Sequence, residues 1–166
     1  LGTACDAPLD ICMTFGATAS SLAKYGYGRL IEASEGIELL HLAYENNLVQ
    51  CGENVREDVS FLCNCCGCCC EAMTTAKRFG VLNPIETTAF IPVINEKTCL
   101  NCGKCERVCP VACIEKIKDE TGRQKLVPNA NLCLGCGVCA RNCPNKSISL
   151  HRREKQILTP ANTAHR

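Results

Sequence analysis

The sequence predicts an α+β chain in which a small, mostly helical, cysteine-rich domain with a β-hairpin precedes a repetitive domain built from βαβ units. Three observations lead to this prediction: a four-cysteine run that occurs twice in the second half, helical apolar spacing in the first half, and a change in the sign of the charge between them. Aromatic residues make up only 4% of the chain and tryptophan is absent, whereas cysteine supplies 18 of the 166 residues. We therefore expect a group bound by cysteine to replace part of the apolar core.

The charge distribution divides the chain near residue 88. Residues 1–88 contain 5 Lys and Arg against 11 Asp and Glu, a balance of −6, whereas residues 89–166 contain 13 against 6, a balance of +7. With the motifs below, this predicts a cysteine-rich domain over 1–88, a second domain over 89–151 and a basic tail over 152–166. The total charge of +1 does not indicate nucleic-acid binding, and no apolar run is long enough to predict a membrane span.

Two helices are predicted before residue 48. The first covers residues 17–25, and the second begins after Ser34 as its N-cap and ends at Asn46 and Asn47. The apolar face of the second helix is predicted from its spacing to consist of Ile37, Leu40, Tyr44 and Leu48. His41 on the same helix is expected to be a surface residue.

A hairpin and a third helix are predicted around the densest cysteine stretch. Residues 48–50 and 59–63 have the composition of two strands, and the polar loop 52–58 connects them. A helix from about residue 69 to residue 79 follows, and Gly80 and Pro84 end it.

The second half contains the same cysteine run twice. Cys-x2-Cys-x2-Cys-x3-Cys-Pro is formed first by Cys99, Cys102, Cys105, Cys109 and Pro110, and again by Cys133, Cys136, Cys139, Cys143 and Pro144. Such a run is typical of [4Fe–4S] ligands, because three closely spaced thiolates surround one cluster and the cysteine before proline reaches a second one. A disulfide scaffold and a zinc site are the alternatives, but zinc usually takes Cys-x2-Cys pairs from two separate loops. Gly103, Gly135 and Gly137 leave room for backbone N–H groups to approach the sulfurs.

The repeat extends beyond the cysteines. A shift of 34 residues superimposes Val93 on Val127, Asn95 on Asn129 and Ile114 on Ile148. Strands are predicted over residues 90–94, 115–118, 123–127 and 147–151, with a hairpin turn at Thr121-Gly122 and a short helix or turn at each x3-Cys-Pro segment.

Residues 90–151 resemble the bacterial two-cluster [4Fe–4S] ferredoxins. The resemblance implies that Cys99, Cys102, Cys105 and Cys143 hold one cluster, and that Cys133, Cys136, Cys139 and Cys109 hold the other. The span from Cys109 to Cys133 is longer than in the shortest ferredoxins, which fits a longer hairpin. Cys113 aligns with Ser147, where we expect a small residue packed near the cluster, with ligand exchange or sensing as the alternative.

The first half contains a candidate third metal centre. Six cysteines lie within the eight residues 63–70, and positions three or four apart share a face of a helix. This favours Cys65, Cys66 and either Cys69 or Cys70 as ligands, with Cys12 as a distant ligand and Cys63 as a further candidate. We expect a third [4Fe–4S] cluster, with zinc as the rival, and the roles of Cys5, Cys51 and Cys68 stay open.

The chain over about residues 4–151 also resembles ferredoxin-type proteins of anaerobes. The segments that carry this resemblance are Cys12-Met-Thr-Phe15-Gly16, Asn47-Leu48-Val49, the stretch from Val59 to Cys70 and the two ferredoxin runs. It implies an iron–sulfur electron-transfer protein, similar to the small subunits that accompany flavin, tungsten or molybdenum oxidoreductases, including class II benzoyl-CoA reductases. Exposed clusters survive poorly in oxidising compartments, so a cytoplasmic location in an anaerobe is expected.

The predicted function is therefore single-electron transfer within a larger oxidoreductase. A basic ferredoxin half beside an acidic half suggests a chain docked to a partner, with Arg152, Arg153 and Lys155 either pairing with that partner or solvated. The alternatives are a freely diffusing low-potential ferredoxin and a protein whose amino-terminal cluster has a catalytic or redox-sensing role. No catalytic residues are predicted, because no Ser–His–Asp arrangement, Walker motif or dinucleotide fingerprint occurs.

Overall fold

The computed structural model of the protein describes residues 5–80, 88–154, 158–162 and 164. The chain divides into two units, Leu1–Cys66 with Leu158–Arg166, and Gly67–Ile157. This division falls inside the cysteine-rich stretch, whereas the charge pattern places a boundary at residue 88. Among the described residues, no helix is long and apolar enough to cross a membrane.

The first unit contains two helices and a three-stranded antiparallel sheet. Its elements are β1 Met13–Thr14, α1 Gly16–Lys24, α2 Ala33–Glu45, β2 Val49–Gly52 and β3 Phe61–Cys65, and the strand order is β1-β3-β2. The predicted hairpin is present as β2 and β3, displaced by one or two residues, and Cys51 lies opposite Cys63. Strand β1 was not predicted, because two residues are too few to form a sequence pattern.

Helix α2 differs from its prediction in its start and in its buried face. Its N-cap is Glu32 rather than Ser34, and no side chain caps it. Of the predicted apolar face, Ile37 and Tyr44 are at least half exposed, whereas Leu40 is partly buried and Leu48, just after the helix, is buried as predicted. Ala43 is buried instead, in a core with Ile11 and Leu48. A small alanine permits close packing, so the helix turns this side inward despite the larger residues beside it.

The predicted end of α2 and the surface position of His41 are confirmed. Asn46 is the C-cap, and Asn47 follows in the left-handed region at φ 59°, which asparagine tolerates better than most residues. His41 is exposed. The end of the chain returns to this unit, since the carbonyls of Pro160 and Ala161 accept hydrogen bonds from the backbone of the 56–57 loop.

The second unit begins with α3, Glu71–Phe79, which ends at Gly80 as predicted. Gly80 has φ 67°, the conformation that favours glycine at a helix end. Pro84 lies outside the described residues. The helix starts two residues later than predicted, with Cys70 as its N-cap and a turn before it. The prediction that Cys69 and Cys70 lie on a helical face is therefore wrong.

The rest of the second unit confirms the 34-residue repeat. Every element of the first half has a counterpart with the same bounds 34 residues later. The elements are β4 Phe90–Ile94, α4 Lys104–Arg107, β5 Ile114–Lys118, β6 Gln124–Pro128, α5 Val138–Arg141 and β7 Ile148–Arg152. Strand β4 pairs with β7 and β5 with β6, all antiparallel, so each half contributes one strand to each two-stranded sheet.

Candidate metal centres

Two concavities in the second unit are each lined by four of the repeated cysteines. In both, three cysteines come from one run and the fourth comes from the end of the other run. The first concavity contains Cys99, Cys102, Cys105 and Cys143. The second contains Cys109, Cys133, Cys136 and Cys139. The fold therefore brings together the two sets that the sequence resemblance implies.

Backbone N–H groups point at the cysteine sulfurs in both halves. The N–H of Asn101 donates to Cys99 Sγ, and the N–H of Gly135 donates to Cys133 Sγ, both at 3.4 Å. The chain reaches this geometry through left-handed residues, since φ is 50° at Asn101 and 69° at Gly135. Such N–H donors stabilise negative charge on sulfur, as thiolate ligands require.

The residue four positions after each Cys-Pro cysteine repeats this arrangement. The N–H of Cys113 donates to Cys109 Sγ, and the N–H of Ser147 donates to Cys143 Sγ, both at 3.3 Å. The two loops that carry the other ligands begin alike, because the N–H groups of Cys99 and Cys133 both donate at 3.0 Å to an asparagine carbonyl four residues earlier. Local turn geometry therefore presets both ligand sets.

Comparison with protein families agrees with this geometry. Residues 92–150, a little over a third of the chain, match the family model described as a 4Fe-4S dicluster domain. This stretch is a ferredoxin-type segment. It binds [4Fe–4S] clusters, and the thiol-lined concavities with their N–H donors fit that group. No curated protein compared with the chain matches it significantly.

Cys113 lies inside the second concavity beside two of its ligand candidates. Its Sγ stands 3.5 Å from Cys109 Sγ, and its thiol also hydrogen-bonds Cys133. These hydrogen bonds raise the pKa of Cys113, lower that of Cys109 to about 6 and lower that of Cys133 to about 7. Where Cys109 and Cys133 bind metal as thiolates, Cys113 is the one of the three that can donate an S–H hydrogen bond. The predicted position of Cys113 near the cluster is consistent with this packing.

Burial acts in the opposite direction on the other ligand candidates. It raises the pKa of Cys139 to about 12, and it also raises the pKa of Cys105 and Cys136. Thiolates, not thiols, bind iron, so these groups release their protons when the metal binds. Cluster binding in this segment is therefore coupled to proton release.

Arg153 is held against the second concavity by three backbone carbonyls. Its Nε donates to Phe90 at 3.1 Å, Nη1 to Ala130 at 2.9 Å and Nη2 to Cys133 at 2.7 Å. The prediction that Arg153 belongs to a solvated or partner-binding tail is therefore wrong. Its neighbour Arg152 is exposed, with its guanidinium carbon 6.0 Å from the centre of the Phe90 ring, and Lys155 lies outside the described residues.

The first unit brings Cys5 to Cys66. Their Sγ atoms are 3.7 Å apart, although 61 residues separate them in sequence. Cys66 was predicted as a ligand, whereas Cys5 was left unassigned, since no spacing relates residues so far apart. Cys12, the predicted distant ligand, is exposed. Cys63 and Cys65 alternate along β3 and share one face of the sheet, as predicted, and Cys51 lies opposite Cys63 on that face.

The second unit contains the remaining three amino-terminal cysteines. The Sγ atoms of Cys68 and Cys69 are 3.9 Å apart in the turn before α3, and both residues are exposed. Cys70 is the N-cap of α3, and its carbonyl accepts hydrogen bonds from the backbone N–H and the hydroxyl of Thr74. The Cys70 backbone therefore forms part of the first turn of the helix, and its thiol makes no capping hydrogen bond.

Proposed function

We propose that the chain is the electron-relay subunit of a larger oxidoreductase and carries electrons on two [4Fe–4S] clusters of the ferredoxin-type segment. The assigned ligands are Cys99, Cys102, Cys105 and Cys143 for cluster 1, and Cys109, Cys133, Cys136 and Cys139 for cluster 2. The supporting observation is that each concavity is lined by one of these sets. A bound [4Fe–4S] cluster accepts and releases single electrons.

The surface of the first unit supports the role of a docked subunit. None of the residues of α1 is buried, and large apolar side chains just beyond it face water, with Tyr27 82% and Leu30 73% exposed. We take this exposed apolar segment as the candidate contact with the partner, since contiguous exposed apolar surface marks interaction sites. The partner proposed from the sequence resemblance is a flavin, tungsten or molybdenum enzyme of the cytoplasm.

A third centre in the cysteine-rich stretch is part of the proposal. Cys5 and Cys66 form one pair of close thiols, and Cys68 and Cys69 form the next pair along the chain. We assign Cys5 and Cys66 as ligands of this centre in preference to Cys12, which is exposed. A [4Fe–4S] cluster is the proposed occupant, and zinc is the alternative.

Metal analysis of the anaerobically purified chain tests the ligand assignments. Three clusters predict about twelve iron and twelve sulfide per chain, whereas two clusters with a zinc site predict about eight of each and one zinc. Cys5→Ser is expected to remove the third centre, and Cys12→Ser is the matched control that should retain it. Eight iron without zinc would refute the third centre, and loss of metal only in Cys12→Ser would refute the choice of Cys5.

The subunit role is tested by the native mass of the protein in anaerobic extracts of its source. A relay subunit is expected to co-elute with a larger protein that contains flavin, tungsten or molybdenum, and to reduce or oxidise it in stopped-flow mixing. A chain that elutes alone as a monomer and exchanges electrons with no such enzyme would refute the docked role.

A further inference from the structure

The two halves of the ferredoxin-type segment differ at a position that contacts the ligand sulfurs. In the second concavity this position is Cys113, which is buried and hydrogen-bonded to Cys109 and Cys133. Beside the first concavity the equivalent residue, 34 positions later, is Ser147. Its hydroxyl donates to the carbonyl of Thr98 at 2.7 Å, away from the cysteine sulfurs. One ligand set therefore receives a side-chain hydrogen bond where the other has a hydroxyl engaged elsewhere.

A second difference lies one residue beyond the last strand of each half. Arg153 follows β7 and is fixed to the carbonyl of Cys133 beside the second concavity. The equivalent residue after β5 is Asp119, whose carboxylate accepts hydrogen bonds from Thr121 and Arg123 in the hairpin turn. The same backbone position thus carries a positive charge in one half and a negative charge in the other.

The other charged residues near the two concavities do not cancel this difference. Arg107 and Arg141 occupy equivalent positions, but Arg107 is exposed whereas Arg141 is partly buried, so water and salt screen the charge of Arg107 more strongly. Lys104 lines the first concavity and has Val138 as its counterpart, but Lys104 is exposed to water. Water and salt screen the charge of an exposed ammonium group, whereas the guanidinium of Arg153 is partly buried and held by three carbonyls.

We infer that Cys113 and Arg153 make cluster 2 easier to reduce than cluster 1, so that the first electron given to the ferredoxin-type segment rests on the Cys109, Cys133, Cys136 and Cys139 side. Reduction adds one negative charge to a cluster, and hydrogen-bond donors and positive charge near its sulfurs favour that state. Both residues act through ligand sulfurs or their backbone. This inference rests on the proposed assignment of two clusters.

A dithionite titration followed by EPR spectroscopy tests the inference on the full-length protein loaded with clusters. Two one-electron reduction steps are expected, and Cys113→Ala should make the step at higher potential at least tenfold less favourable, a shift of about 59 mV for one electron. Cys113→Ser keeps a donor and should restore most of the difference. Ser147→Ala is the matched control and should move neither step, because that hydroxyl donates to a carbonyl.

A variant that adds a hydrogen-bond donor tests the inference even if variants that remove Cys113 bind clusters poorly. Ser147→Cys places a thiol at the equivalent position beside the first concavity and should raise the lower potential toward the upper one. Arg153→Met should lower the upper potential, whereas Arg152→Met should change it less because Arg152 is exposed.

The outcomes separate the inference from the proposed function. Fewer than about eight iron and eight sulfide per chain would show that the two-cluster assignment itself fails. Two intact clusters with the same reduction potential would overturn the inference and leave the two-cluster assignment in place. The same holds if Cys113→Ala shifts the lower of the two reduction potentials instead of the upper one. If Cys113→Ala loses cluster 2, an unchanged lower potential in Ser147→Cys overturns the inference.

Discussion

Gly135 occupies a position in the second ligand loop where a side chain has no room. Its φ of 69° lies in the left-handed region, and a Cβ built on it would stand closer than 3.0 Å to the hydroxyl of Thr88 and to the carbonyl oxygen of Phe90. The Thr88 side chain can rotate away, but the Phe90 carbonyl is backbone and also accepts a hydrogen bond from Arg153. Gly135→Ala is therefore expected to displace the start of β4 from the loop that carries Cys133 and Cys136.

The magnitude follows from two separable contributions. A non-glycine residue in the left-handed region costs about 1–2 kcal/mol, and overpacking against backbone adds about 1–3 kcal/mol. Gly122 isolates the first contribution, because it has φ 80° in the hairpin turn and no atom lies within 4 Å of its Cβ position. Gly135→Ala should therefore exceed Gly122→Ala by about 1–3 kcal/mol, which is at least about 4 °C in the unfolding midpoint of a segment of this size.

The assay is thermal bleaching of the visible cluster absorbance under anaerobic conditions. Cluster loss is irreversible, so all variants are compared at one heating rate. The expected order of midpoints is wild type, Gly122→Ala and then Gly135→Ala. Asn101→Gly is a further control in the equivalent loop and should stay near the wild type, since glycine accepts the left-handed φ of 50° there. Indistinguishable midpoints for Gly122→Ala and Gly135→Ala would refute the steric argument.

Three further predictions concern packing and the bound metal. Gly67→Ala should lower the bleaching midpoint, because its Cβ would stand 2.6 Å from Pro110 Cα. Gly52→Ala should leave the midpoint unchanged, because no atom lies within 4 Å of its Cβ position. Equal midpoints for the two variants would contradict this prediction. Asn64→Ala should lower stability in urea by about 1–3 kcal/mol, since buried Asn64 donates to the Ile11 carbonyl at 2.5 Å, and an unchanged midpoint would oppose it. Anaerobic iron chelation should abolish strand circular dichroism, and its retention would show a cofactor-independent fold.

The repeated half of the chain was predictable because its determinants are local. Cysteine spacing, the asparagine turns before each run and the strand composition all lie within a few residues of the structure that they specify. The strands and short helices therefore recur at the predicted 34-residue interval, with boundary shifts of one residue. Asn47 and Gly80 mark helix ends for the same reason, since a left-handed residue ends a helix through its own backbone.

The apolar face of α2 was not predictable from spacing alone. Ile37 and Tyr44 continue a helical pattern, yet the helix packs through Ala43, because close approach of the backbone there depends on Ile11 and Leu48 from other elements. The start of α3 was placed too early for a related reason. The sequence from Cys66 to Cys70 lacks a turn signal beyond one glycine, and in the turn observed there Gly67 lies against the backbone of Pro110, which is distant in sequence.

The sequence by itself determined the cofactor class and the two-half repeat, because cluster ligands and their turns are specified by short-range spacing. Only the tertiary structure decided which distant groups meet. It brings Cys5 to Cys66, which is 61 residues away in sequence. It also places the guanidinium of Arg153, predicted to lie in the tail, against the carbonyl of Cys133. Contacts of this kind depend on the path of the whole chain, so no local pattern records them.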